Sequence, residues 1–268
     1  MKSAGRTSAL TPRAAPAWLK PLVDNVSCVP AAYRRRLPAD VLAMVTAANA
    51  NAALTGAGRD AAVLVLFSGP EESPAGTRVP EYADLLLTVR ASTLRHHAGQ
   101  AAFPGGATDP GDTGPVHTAL REAREETGID ATRLRPLATL DKMFIAPSSF
   151  HVVPVLAYSP DPGPVAVVDA AETAMVLRVP LRAFVNPENR LVVYRRTFSG
   201  RFAGPAFVIG EMLVWGFTGQ VISALLDCGG WAVPWNADDI RELDDAMALV
   251  DHDVHYNGGD DSYREARR

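Results

Sequence analysis

Gly105-Gly106-Ala107-Thr108-Asp109-Pro110-Gly111-Asp112 runs, after a short connection, into Arg121-Glu122-Ala123-Arg124-Glu125-Glu126-Thr127-Gly128. Residues 113–127 are rich in strong helix formers and stop at a glycine placed where a helix ends. On such a helix Glu122, Glu125 and Glu126 stand at i, i+3 and i+4 and share one face. Thr118 lies on the same side, and Leu120 points roughly the other way, toward a core. Ala119 and Ala123 are small enough to let the helix sit close to a neighbour. Each like-charge pair on a helix face costs about 0.2–0.5 kcal/mol, and acidic groups near the C-terminus also oppose the helix dipole. The pattern reads either as a solvated acidic face or as a place for a hard divalent cation. Mg²⁺ takes oxygen ligands and is held by one or two carboxylates plus substrate phosphates. Gly105 and Gly106 supply backbone that a ligand can approach closely.

Around this stretch, residues 61–67 form a short, continuous apolar run followed by Ser-Gly-Pro, which predicts a buried strand. Residues 85–89 predict another, and residues 69–80 between them are polar and rich in turn formers. Further strands are expected at 137–144, 152–158, 175–179, 191–194 and 206–209. Helical spacing is expected within 16–54, first on Trp18, Leu19, Leu22 and Val23 and again from Pro38-Ala39-Asp40. Helices are also expected over 215–226 and 237–250, the acidic part at 238–245 reading as a solvated face. Many strands with few interleaved helices imply a mixed sheet with helices on both faces. Residues 1–15 read as a loose tail and 251–268 as a frayed polar end.

The chain has 268 residues, 47% of them hydrophobic and 21% charged, with a formal net charge of −4. This is an ordinary globular composition with ample material for a core, and the length admits one or two domains. Mild acidity argues against a general nucleic-acid binder, which needs a basic stripe. Cys28 and Cys228 are too few for a disulfide framework and are expected as reduced thiols in a cytoplasmic protein. The longest apolar run, 212–226, is interrupted by Gly216, Gly219 and Gln220 and is too short to span a membrane. The opening residues lack an apolar core, so no secretory signal is expected.

The stretch 105–129 resembles the Nudix box, G-x5-E-x7-R-E-U-x-E-E-x-G-U with U apolar. Arg121, Glu122, Ala123, Glu125, Glu126, Gly128 and Ile129 fit every position of its second half. The first half departs: five residues after Gly106 comes Asp112 in place of glutamate, and eight residues then precede Arg121. Immediately upstream, Leu86-Leu87-Thr88-Val89-Arg90-Ala91, Arg95, Gly99 and Phe103-Pro104-Gly105-Gly106 are similar to the signature of the coenzyme A diphosphatase (CoA pyrophosphatase) branch of that family. That branch commonly carries G-G-x-x-D-x-x-D with the longer spacing, as Asp109 and Asp112 do here. The Trp215-Gly216 junction resembles the branch's W-G-x-T turn. The resemblance implies an α/β (α+β) fold, the Nudix α/β/α sandwich with a mixed β-sheet and extra helices at both ends. The domain would span 36–250, between a partly disordered N-terminal extension, 1–35, and a polar tail, 251–268.

The same resemblance implies site roles. Glu122 and Glu126 would ligate Mg²⁺ or Mn²⁺, with Glu125 as a third ligand or a group orienting water and the Gly106 carbonyl as a backbone ligand. Which glutamate acts as general base stays open, since a base is recognised by its reach to the water. Arg121 would hold a glutamate in place through an ion pair. Arg90 and Arg95 could read phosphates with their forked guanidinium groups, beside Gly105 and Gly106 lining the substrate, although either arginine also reads as a surface or salt-bridged residue. Asp109 and Asp112 read first as turn residues, Phe103-Pro104 as a packed support for the glycine loop, and Trp215, Trp231 and Trp235 as packing. One of His96 and His97 reads as packed or exposed, and His117, His151, His252 and His255 receive no role. The implied reaction is divalent-metal-dependent hydrolysis of the diphosphate of coenzyme A or its thioesters, giving 3′,5′-ADP and 4′-phosphopantetheine or its acyl form. The alternatives are a Nudix hydrolase of ADP-ribose or a dinucleotide, and a non-catalytic nucleotide-sensing domain. The expected partner is a small-molecule substrate, with no nucleic acid and no membrane, and a homodimer is compatible with the sequence.

Overall fold

The computed structural model describes residues 9–55, 58–74, 78–91, 99–145, 150–197 and 200–250. In chain order the elements are α1 (Lys20–Asp24), α2 (Val29–Arg34), α3 (Ala39–Thr55), β1 (Arg59–Ser68), β2 (Asp84–Arg90), β3 (Ala101–Ala102), β4 (Gly105–Ala107) and α4 (Pro115–Thr127). There follow β5 (Arg135–Thr139), β6 (Met143–Ile145), β7 (Phe150–Ser159), β8 (Thr173–Pro180), α5 (Leu181–Val185), β9 (Arg190–Thr197), β10 (Gly200–Ile209), β11 (Met212–Val214), α6 (Gly216–Cys228), β12 (Ile240–Glu242) and α7 (Leu243–Met247).

The main sheet is mixed. β1 pairs in parallel with β7 along its whole length, from Arg59 opposite Phe150 to Ser68 opposite Ser159. β2 and β4 both run antiparallel to β1, and β5 and β6 antiparallel to β7. β8 lies beyond β2.

Alternation along the central strands sends side chains to two cores. Ala62, Leu64, Leu66, Leu86, Val155 and Ala157 pack with Ala119, Leu120 and Ala123 of α4. Val65, Phe67, Leu85, Leu87, Leu156 and Tyr158 pack on the other face with residues of α1, α2 and α6. Both faces are therefore covered by helices, which is why these strands read as continuous apolar runs. A second sheet, in the order β11-β10-β9-β12, adjoins α6. Arg190 at the start of β9 is buried, its Nη2 donating to Ser223 Oγ at 2.9 Å and its guanidinium 4.5 Å from the Trp235 ring.

The structure corrects five expectations. The strand expected at 137–144 is two strands, β5 and β6, split at Leu140-Asp141-Lys142. The helix expected over 237–250 begins instead as β12, which pairs in parallel with β9 and leaves only the short α7 helical. The segment from Thr11 on is not loose: Thr11 bonds Pro136 O through both its amide and its hydroxyl, at 2.7 and 3.0 Å. Nor is residue 35 a boundary, because Trp18, Leu19 and Leu22 are buried in the main core. Finally, Cys28 and Cys228 are not separate thiols but a disulfide, with Cα atoms 6.3 Å apart. α2 packs on α6 and brings together residues 200 positions apart, a proximity that spacing cannot reveal. Residues 1–8 and 251–268 lie outside the described residues. Among the described residues no helix is long and apolar enough to cross a membrane.

Candidate active site

The site is built where β4 meets α4. β4 is locked to the central strand, with Gly106 opposite Ala62 and Gly105 opposite Val63, and Leu64 N donates to Pro104 O at 2.8 Å. Phe103 is buried in the main core and supports this strand from behind. A Cβ on Gly106 would stand 2.5 Å from the Glu122 carboxyl group, so a side chain there would push that carboxylate from its place. α4 opens at Gly114, with Pro115 in its first turn, and ends at Gly128 with φ 67°, the left-handed closure that glycine adopts without strain.

Glu126 faces the glycine strand: Gly105 N donates to its Oε2 at 3.2 Å. Burial pushes its carboxyl up to about 7, and the backbone bond from Gly105 and the charge of Arg90 oppose that rise. Glu122 is raised as well, chiefly by burial, with Arg121 pulling it down. Two desolvated carboxylates beside the partly buried glycine strand make an electrostatically frustrated pair, which a cation would relieve.

Arg121 is the hub of the loop. Its Nε and Nη2 donate to Asp112 at 3.1 and 2.9 Å, and Nη2 also donates to Ala107 O at 2.9 Å. Its Nη1 donates to Glu122 Oε1 at 2.9 Å and Glu125 Oε2 at 3.0 Å. Asp112 is almost fully enclosed, and it accepts further bonds from Asp109 N and Thr118 Oγ1, each at 2.9 Å. These bonds, led by those from Arg121, hold its carboxyl well below the usual carboxylate range. Asp112 does close a turn with Asp109, as expected. The turn reading missed its second task, which is to anchor Arg121. The signal available was its place in the box, where an acidic residue precedes the arginine.

Of the residues singled out, the fold brings together Arg90, Gly105, Gly106, Arg121, Glu122, Glu125 and Glu126. Glu125 is half exposed and turned toward Arg121. Among the described residues no three acidic, histidine or cysteine side chains converge at metal-binding distance. The acidic oxygen donors at hand beside the glycine strand are Glu122 and Glu126, and oxygen donors suit a hard divalent cation sharing its remaining positions with water and phosphate. Arg95, His96 and His97 lie outside the described residues.

The NUDIX domain model matches residues 59–202. The chain belongs to the Nudix family. A protein of Photorhabdus laumondii named as an uncharacterized Nudix hydrolase NudL is 37% identical over 143 residues, covering 53% of this chain and 74% of its own. A likewise named protein of Yersinia pestis is 36% identical over the same length, covering 53% and 70%. Among solved structures, a Nudix hydrolase from M. smegmatis, RenU, aligns with TM-score 0.36 and 26% identity over 46% of this chain and 71% of that one. The chain is thus a Nudix hydrolase, an enzyme acting on a small-molecule nucleoside diphosphate derivative, in a family that generally works with a divalent metal.

Proposed function

We propose that this Nudix hydrolase cleaves the diphosphate bond of coenzyme A or its thioesters, releasing 3′,5′-ADP and 4′-phosphopantetheine or its acyl form. The observation that carries the reading is the juxtaposition of Arg90 with Glu126. The upstream stretch similar to the coenzyme A branch ends in the same glycine strand that Glu126 accepts from, and the charge of Arg90 acts on that carboxylate. Arg90 Nε is buried without a hydrogen-bond partner among the described residues. A buried guanidinium edge of this kind matches a phosphate oxygen.

In this reading Glu122, Glu126 and the Gly106 carbonyl hold Mg²⁺ or Mn²⁺, with Glu125 as the third acidic group beside them. When bound, such a cation neutralises the diphosphate charge and makes a water more acidic. Arg121 fixes the direction of Glu122 and Glu125 through its two bonds, and Asp112 fixes Arg121. Gly105 and Gly106 let the diphosphate lie against backbone. Glu122 or Glu125 takes the proton of the attacking water as it adds in line with the leaving oxygen. Arg90 and Arg95 supply positive charge to the phosphates of the substrate, the 3′-phosphate being the group that separates coenzyme A from its 3′-dephospho form.

A cytoplasmic location belongs to the same reading. In that reducing compartment Cys28 and Cys228 would sit adjacent with the bond open to reduction.

The test is incubation with coenzyme A and Mg²⁺ or Mn²⁺, with products identified by mass, beside the 3′-dephospho form. Masses of 3′,5′-ADP and 4′-phosphopantetheine, with faster turnover of the 3′-phosphorylated substrate, support the proposal. Equal rates on the two forms overturn reading of the 3′-phosphate. Cleavage of ADP-ribose or a dinucleotide with none of coenzyme A overturns the substrate assignment.

A further inference from the structure

His117 belongs to none of the motif positions, yet its Nδ1 stands 2.8 Å from Asp112 Oδ1, the same oxygen that Arg121 Nε reaches at 3.1 Å. His117 and Arg121 are four residues apart on α4, so the helix aims both at one carboxylate. Asp112 is held ionised by its other donors. The ring nitrogen that faces this oxygen is Nδ1. The Asp112 side chain is 1% exposed while that of His117 is 47% exposed, so the imidazole stands on the solvent side of this contact.

We propose that His117 is a positioning residue of the active site. It shields and orients Asp112, Asp112 fixes Arg121, and Arg121 sets the direction of Glu122 and Glu125. The inference rests on the proposed reading of these glutamates as the cation and water site. Without the imidazole, water reaches Asp112 Oδ1 and competes with Arg121 Nε, and the guanidinium loses one of its fixed edges. Asparagine at 117 places an amide N–H near the position of Nδ1 and keeps the link, whereas alanine cannot.

The experiment compares wild type, His117→Ala and His117→Asn, with equal melting temperatures as the check on folding. In the metal-free protein, solvent exchange of the ¹⁵N-labelled Arg121 Nε–H is read by NMR. Separately, Mn²⁺ binding is read by the loss of the free-ion EPR signal. Faster exchange and about tenfold weaker Mn²⁺ binding in His117→Ala, both recovered in His117→Asn, are expected. Unchanged exchange in His117→Ala overturns the proposal, as does faster exchange with Mn²⁺ affinity unmoved. A wild type that binds no Mn²⁺ sinks the cation-site reading instead, and the exchange measurement then still decides whether His117 positions Arg121.

Discussion

Glu126 is asked to be an anion in a place that disfavours anions. Burial lifts its carboxyl from 4.5 to about 7. The metal-free native state therefore holds this proton longer than the unfolded chain does, and stability falls as pH rises from about 4.5 to 7. Glu126→Gln removes the titrating group. The stability of the variant should gain on wild type across that window, by at most about 3 kcal/mol at neutral pH, as the rise in melting temperature of the metal-free variant over wild type will show. Cation binding needs the ionised form, so affinity for Mn²⁺ should weaken as pH drops below about 7. In turnover assays Glu126→Gln and Glu122→Gln should each lose about 10²–10³-fold while far-UV circular dichroism stays unchanged; wild-type rates in either variant would refute the ligand assignment. The clustering of the three glutamates was legible because helical spacing alone puts them on one face. The work of Asp112 and His117 was not, because Asp112 reaches His117 and Arg121 of α4 across a turn whose path local spacing does not determine.

At the level of elements, the site is the junction of a glycine strand and one helix. Residues 113–127 announced their helix through composition and the closing glycine. β4 did not announce itself: three residues, two of them glycines, form a strand only because β1 offers them partners. β12 was hidden in the same way, its pairing with β9 overriding helix-forming neighbours. Gly128→Ala should cost about 1 kcal/mol, because its left-handed φ strains any side chain; chemical denaturation measures it. The disulfide between Cys28, at the start of α2, and Cys228, at the end of α6, closes a 200-residue span. Reduction should lower stability by about 2–4 kcal/mol, read as a drop in melting temperature that Cys228→Ser reproduces. A reduced protein with an unchanged melting temperature would show that packing of α2 on α6 suffices.

Across the whole molecule, the layered architecture was readable because β1, β2 and β7 bury both faces and so appear as unbroken apolar runs. The covering of the second face by α1 and α2 was less so, since Trp18, Leu19 and Leu22 look like an isolated amphipathic turn until the sheet is present. The sheet holds Arg90, at the end of β2, within electrostatic reach of Glu126 on α4. Arg90→Ala should therefore lower discrimination between coenzyme A and its 3′-dephospho form, or raise KM for both, more than it lowers stability. Steady-state kinetics on the two substrates separates these outcomes.

Everything in the functional account turns on whether the desolvated carboxylates beside the glycine strand hold a divalent ion. Anomalous diffraction from crystals soaked in manganese tests this directly. The account predicts a peak contacted by Glu122, Glu126 and the Gly106 carbonyl; glutamates pointing to bulk solvent with no peak near that strand would contradict it.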